Sequence, residues 1–362
     1  MSYKVLFLES RNFYRDMLDP IFFENCQLEF DGGLQLSKLS YLNGFDLVVY
    51  TLFSSPSYNL IIQRCVHYDI PTLLLFDGIC EFSNFTKNPV IRKLDLDNYH
   101  PIIADKIAVV GDEALNYFQA LNCTAYKYLP SRVFRMNEKL PFPHNNDGYD
   151  FLITTANTAY YDDKEKKALI LLLEQVIVEL DKNEYSYCFR LFDESLLSAL
   201  DVFETTNFID GDFDSVLSQV RCVITTPSSI LLSAMFHERS VGLLSYRDSP
   251  MFIQSGWLIH TGIDLAQTLQ SMLLRDSKRM AFQLAQVKSN VESEPLLKAC
   301  HDTAHSTIKE KELVKFINQN MYNMLNSPFN FNVEHRFRKL FWFAKSSRFF
   351  RLIKPITNFL KR

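Results

Sequence analysis

A chain of 362 residues has room for two domains of ordinary size, and 47% hydrophobic residues is a globular composition. A net charge of −4 argues against a nucleic-acid partner for the chain as a whole, and no apolar run reaches the roughly 20 residues that span a bilayer. Seven scattered cysteines without a Cys-x-x-Cys pair suit free thiols in a reducing compartment, and the start of the chain turns acidic too soon for a signal peptide, so the expected location is cytoplasmic, in solution or on the inner face of the membrane.

The first 135 residues alternate strand and helix signals. Residues 4–8 are a candidate first strand, 45–52 a buried strand and 58–68 a helix with Leu60, Ile61, Arg64, Cys65 and Tyr68 on one side. Residues 70–76 form a strand opened by Pro71, and the loop after it offers Asp77, Glu81 and His100. A strand over 106–110 and a helix over 112–121 follow. This spacing predicts a parallel sheet with crossover helices. The first strand leads into Glu9-Ser10-Arg11-Asn12, with neither a dinucleotide fingerprint nor a Walker loop, which disfavours NAD chemistry and ATP hydrolysis.

Residues 136–149 hold two prolines, three asparagines and a glycine, the chemistry of a linker. A second series then runs to about residue 328. It has a strand over 150–154 and a helix over 163–180 with Ala168, Leu171, Leu172, Val176 and Leu180 as its apolar stripe. A strand over 185–191 and a short helix over 215–220 come next. Residues 222–224 are a buried strand and 225–229 a hydroxyl-rich turn. Ile230, Leu231, Ala234 and Met235 repeat at helical spacing, and 241–244 is a further apolar run. Residues 264–290 read as helical, and 318–326 as a helix crossing back to the first domain.

The turn puts Ser228 and Ser229 at a helix N-terminus, where unpaired N–H groups and the dipole favour an anion; serine is equally an ordinary N-cap. Turns of this kind sit at the carboxyl ends of parallel strands, where open α/β sheets bind ligands. His301 and His305 have the helical spacing of zinc ligands but no third ligand nearby, and neither Asp95-Leu96-Asp97 nor Asp210-Gly211-Asp212 makes a metal site by spacing alone. No metal and no cofactor are expected.

The end of the chain differs from the rest. Nine of the 38 Lys and Arg residues, and none of the 42 Asp and Glu, lie between His335 and Arg362. Phe337, Leu340, Phe341 and Ala344, then Phe349, Leu352, Ile353, Ile356 and Leu360, form an apolar face in two helical pieces. Residues 329–362 therefore read as a basic amphipathic tail, either an in-plane anchor on an anionic membrane or a helix packed on the protein's own acidic body. The expected membrane contacts are Phe341, Trp342, Arg348, Phe349 and Lys354.

Two βα series joined by a short linker resemble the GT-B type of glycosyltransferase, with two Rossmann-like domains facing across a cleft. The stretches that carry the resemblance are 150–159, 208–217 and 223–241, which are similar to the first strand and turn, the nucleobase segment and the phosphate-binding segment of bacterial capsule and lipopolysaccharide glycan-building enzymes. Bacterial sialyltransferases are more distantly similar. Asp77-Gly78 keeps half of their acidic-acidic-Gly motif, and Ser228-Ser229 matches their paired hydroxyl motif. Arg190-Leu191-Phe192-Asp193 stands where Arg-x-His-Pro would be, and Ser233 where a ribose-binding acid is common.

The resemblance implies a metal-independent transferase that moves sugar from a nucleotide-activated donor to a growing, lipid-linked glycan. The base would come from the first domain: Asp77, which directly follows a buried strand, then Glu81. An ordinary Asp-Gly turn is the other reading of Asp77. Arg190, Thr226, Ser228 and Ser229 would hold the donor, with Arg132 near the cleft. Arg190 in a surface ion pair is the competing reading. A polyol-phosphate transferase, a nucleotide-sugar epimerase and a non-catalytic glycan- or partner-binding protein at the membrane remain open.

Overall fold

Apolar, β-branched runs form the strands, and their burial on both faces follows from helices on either side. The computed structural model describes residues 3–15, 17–18, 26–35, 39–53, 55–81, 83–84, 87–89, 92, 102–130, 139–143, 148–203, 206–247, 253–291, 300, 302–303 and 333–346. Chain order begins with β1 (Tyr3–Phe7), α1 (Arg11–Tyr14), β2 (Cys26–Glu29), a 3-10 turn (Gly32–Leu34), α2 (Leu39–Leu42), β3 (Leu47–Tyr50), α3 (Pro56–His67) and β4 (Thr72–Ile79). It continues with β5 (Lys106–Val110), α4 (Asp112–Ala120) and β6 (Thr124–Lys127). Among the described residues these strands make a six-stranded, wholly parallel sheet in the order β2-β1-β3-β4-β5-β6. The order reverses between β1 and β3, which opens a crevice at their carboxyl ends.

The second series holds β7 (Tyr149–Thr154), α5 (Asp163–Lys182), β8 (Tyr187–Arg190), α6 (Glu194–Ala199), α7 (Phe213–Leu217), β9 (Val220–Thr225), α8 (Ser229–Phe236), β10 (Ser240–Leu244) and β11 (Trp257–Ile259). Helices α9 (Leu265–Leu273) and α10 (Ser277–Val291) follow. Its five strands are also parallel, in the order β11-β10-β9-β7-β8, with the reversal between β7 and β9. The helical reading of 264–290 resolves into two helices, broken at Leu274 to Asp276, where Arg275 takes a positive φ of 54°.

Local chemistry explains the helix starts. Ser55 caps α3 ahead of Pro56 at the first helical position, and Asp162 caps α5 by accepting from the Glu165 N–H. The buried face of α5 is Leu169, Leu172, Leu173, Val176 and Leu180. This corrects the predicted stripe by a fraction of a turn, for Leu171 is 51% exposed. In α3 the inward residues are Tyr58, Ile61, Ile62 and Cys65, whereas Tyr68 is exposed.

The last described element is α11 (Val333–Ser346). It lies against the carboxyl-end side of the first sheet, reaching α1 and the 3-10 turn. Residues 318–326 and 347–362, with Arg348, Phe349 and Lys354, lie outside the described residues, as does half of the predicted linker. No helix of the described residues is long and apolar enough to cross a membrane.

Candidate functional site at the carboxyl edges of the two sheets

Strand register sets out the floor of the site. Thr154 of β7 stands level with Arg190 of β8 and Thr225 of β9, so three strand ends share one edge. The Thr154 hydroxyl donates to the Arg190 carbonyl at 2.9 Å. Beyond β9 the chain turns through Thr226, Pro227 and Ser228 into α8. The buried Thr226 hydroxyl accepts from the Ala156 N–H at 2.7 Å and ties this turn to the loop after β7. Ser228 is the N-cap residue in extended backbone, yet its side chain makes no cap bond, and its buried oxygen has no hydrogen-bond partner. Ser229 accepts from the backbone N–H of Ile79 at 3.3 Å.

That bond brings the other half of the site into place. β4 breaks register with β5 between Leu75 and Ile79, and its end reaches toward the second unit. Asp77 lies within this extension with its side chain exposed. Glu81 follows it and is only 12% exposed.

Glu81 belongs to a buried ionic cluster drawn from both halves. Arg247, three residues beyond β10, places Nη1 2.5 Å from Glu81 Oε1 and Nε 3.5 Å from Glu165 Oε2. It also donates to the Ala159 carbonyl. Its guanidinium lies over the rings of Tyr161 and Tyr246, at 4.8 and 5.0 Å. Lys87 completes the group at 3.0 Å from Glu165 Oε1. Arg247 and Glu165 are each 4% exposed. Burial disfavours the Arg247 charge, but Tyr246 and Glu81 outweigh it, so this guanidinium holds its proton more firmly than usual. Burial pushes the Tyr161 phenol up, out of the range where it ionises.

Arg190 is committed differently from the prediction. It is buried, and it donates to the carbonyls of Phe208 and Gly211 at 2.5 and 3.1 Å. Burial lowers its pKa, partly offset by Asp212 and Asp210. The guanidinium thus braces the 208–212 loop, and it is not in the surface ion pair that was the competing reading. Asp193, at the end of the expected Arg-x-His-Pro stretch, is the N-cap of α6.

The structure therefore brings Ser228, Ser229, Thr226 and Glu81 to one region. Arg132, His100, Asp95, Asp97, His301 and His305 lie outside the described residues. Among the described residues no group of three His, Cys, Asp or Glu is placed to hold a metal. Arg247, Glu165 and Tyr161 were missed by the sequence reading. Ser245-Tyr246-Arg247 directly follows a buried strand, and that position alone was the available signal.

No family model matches the sequence, and no curated protein matches it. Solved structures do match the fold. MnaA of S. aureus, in a co-structure with UDP, is similar at a TM-score of 0.54 and 11% identity, over 91% of this chain and 98% of that one. The chain has a GT-B glycosyltransferase-like fold. A Listeria monocytogenes protein described as a UDP-N-acetylglucosamine 2-epimerase shares the GT-B arrangement at a TM-score of 0.53 and 12% identity, over 89% of this chain and 98% of that one. The calicheamicin glycosyltransferase CalG4 is more distant, at a TM-score of 0.45 and 11% identity over 83% of this chain and 97% of that one. The contacts Ile79–Ser229 and Glu81–Arg247 both join the first series of elements to the second.

Proposed function

We propose that the protein is a metal-independent glycosyltransferase that takes a sugar from a nucleotide-activated donor and passes it to a glycan acceptor at the inner face of the membrane. The observation that carries this reading is the meeting of the 77–81 segment with both Ser229 and Arg247 at the carboxyl edges of two parallel sheets. One side of that meeting offers carboxylates, the other a helix N-terminus and a firmly protonated guanidinium.

The chemistry divides accordingly. An acceptor hydroxyl loses its proton to a carboxylate of the first unit and attacks the anomeric carbon, while the bond to the donor phosphate breaks. Glu81 is the better-supported base, because it already touches the group from the second unit, and Asp77 stands beside it in sequence. The leaving phosphate gains negative charge as the bond breaks. Arg247, the free N–H groups of α8 and the Ser228 hydroxyl are the groups able to take it. Arg190 then acts on the loop over 208–212 rather than on phosphate. Entry of the phosphate into this region competes with Glu81 for Arg247, so donor binding would also release the base.

Thermal shift of the full chain against UDP, CMP, CDP, GDP and dTDP tests this reading. A ligand of the native state must raise the melting point. The expected result is a shift with one nucleotide that is reduced in Ser228→Ala and in Arg247→Lys. A folded chain that responds to none of them overturns the reading and leaves the non-catalytic alternative.

A second reading, epimerisation of a nucleotide sugar, is favoured by the two buried carboxylates around one guanidinium, Glu81 and Glu165. Such a pair can remove and return a proton within a closed site. Solvent deuterium entering the sugar without an acceptor selects this reading; nucleotide release only with an acceptor selects transfer.

A further inference from the structure

Helix α11 is fastened to the body by its polar side. His335 is fully buried, with Nδ1 2.5 Å from the Tyr58 hydroxyl and Nε2 3.2 Å from Asp31 Oδ1. Arg338 Nε lies 2.7 Å from the buried Glu9, and Lys339 Nζ 2.6 Å from Asp31 Oδ2. Trp342, expected at the membrane, instead packs edge-on against Phe13 with ring centroids 5.2 Å apart. Phe341 is half-buried beside it.

The opposite side of the helix is exposed and largely apolar, with Arg336 on the same side. Val333, Phe337, Leu340 and Phe343 are 46%, 63%, 63% and 66% exposed. Steps of four, three and three residues keep them on one stripe. A helix on the surface of a soluble domain has the reverse arrangement, apolar side in and charged side out.

We propose that this stripe inserts shallowly into an anionic bilayer, with α11 lying in the membrane plane and its buried polar side holding the protein to it. Charge complementarity decides for lipid: from His335 to Arg362 the sequence carries nine cations and no acid, of which Arg338 and Lys339 are paired with the body, and an anionic leaflet is itself negative. Size points the same way. Four side chains on one short helix offer far less than the roughly 800 Å² per partner of a stable protein interface. Shallow insertion beside basic residues is how in-plane helices bind.

The placement has a consequence for the cleft. Arg338 meets Glu9 at the carboxyl end of β1, beside the crevice where the first sheet reverses its order. The bilayer therefore lies next to that crevice, and a lipid-linked acceptor reaches it without leaving the membrane. This last point rests on the transferase reading, whereas the membrane contact does not.

Sedimentation of the full chain with vesicles tests the contact. Phosphatidylcholine vesicles are compared with vesicles containing phosphatidylglycerol, for the wild type and for the double variant Phe337→Ser, Leu340→Ser. Both positions are exposed, so the variant keeps its fold, checked by an unchanged melting point. The wild type is expected to pellet with the anionic vesicles only, less so as salt rises, and the variant to bind about tenfold or more weakly. A wild type that stays in the supernatant overturns the proposal. So does a variant that binds as well as the wild type, which would assign binding to basic residues beyond α11. A wild-type dimer that the variant turns into monomers overturns it in favour of a second copy. Vesicle binding and nucleotide shifts are separate readouts, so failure of one leaves the other standing.

Discussion

Arg247 and Glu81 form a buried ion pair whose members come from different sheets, with Nη1 2.5 Å from Oε1. Arg247 is contributed by the loop after β10 and Glu81 by the loop after β4. A pair of this kind joins the two halves and, under the proposed transfer reaction, also occupies charges that the reaction would use.

Two substitutions separate these roles. Arg247→Ala leaves Glu81 and Glu165 as buried acids without their shared cation, and should cost about 3 kcal/mol of stability by denaturant titration. It should also lower turnover by about 100-fold, as loss of one donor to a developing oxyanion does. Glu81→Gln keeps the fold and should lower turnover by at least about 100-fold. Because it removes the competitor for Arg247, it should bind the nucleotide several-fold more tightly than the wild type. Weaker nucleotide binding in Glu81→Gln would sink the idea that donor phosphate displaces this pair.

Ser228 and Ser229 are neighbours with opposite expectations. The Ser229 hydroxyl already accepts from Ile79, so Ser229→Ala strands a backbone N–H and should cost about 1 kcal/mol. The buried Ser228 oxygen has no hydrogen-bond partner, so Ser228→Ala should leave the melting point nearly unchanged. If that oxygen meets the donor phosphate, Ser228→Ala should still weaken nucleotide binding about tenfold, the size of one hydrogen bond to a charged group. Calorimetric titration of both variants separates the effects. An unchanged affinity in Ser228→Ala removes Ser228 from the site.

Much of this architecture was legible in the sequence, for a physical reason. The central strands β1, β3, β4, β5, β7, β9 and β10 are buried on both faces and read as continuous apolar runs. The strands that were missed, β2, β6 and β11, are all at sheet edges, where Cys26–Glu29 and Thr124–Lys127 carry polar residues that blur the pattern. The hydroxyl turn was visible because its chemistry is local. The Arg247 cluster was not, since it depends on how two separately folded series meet. Helix α11 shows the same limit. Its two-sidedness was plain, but its inward face was set by Glu9 and Asp31, some 300 residues away in sequence.

His237 makes stability depend on pH. Its ring is buried, its Nδ1 accepts the Leu140 N–H at 3.1 Å, and burial, then Arg239 and Lys139, lower its pKa from 6.5 to about 4. Above pH 6.5 the ring is neutral in both the folded and unfolded chains, so its contribution is fully present. As pH falls from 6.5 toward 4 the unfolded chain takes up the proton first, and stability is lost. His237→Asn keeps an acceptor near Leu140 and has no proton to bind. Its melting point should therefore fall less than that of the wild type across this window. Parallel curves for the two proteins would show that His237 does not drive the acid response.

Gly33 controls the seating of α11. A Cβ there would lie 2.5 Å from Tyr58 Cε1 and 2.6 Å from His335 Nδ1, closer than atoms approach. Leu8 O, at 3.0 Å, closes a third side. The absence of a side chain is what allows the Tyr58–His335 hydrogen bond to form behind the helix. Gly33→Ala should push His335 out and cost about 1 to 3 kcal/mol, as overpacking does. Tyr58→Phe removes only the hydroxyl and should cost about 1 kcal/mol. Limited trypsin digestion tells the two apart, because Arg338 and Lys339 are held against Glu9 and Asp31 while α11 is seated. Gly33→Ala should open these sites to cleavage while Tyr58→Phe stays close to the wild type. Equal resistance in Gly33→Ala would mean that α11 is held by its ion pairs alone.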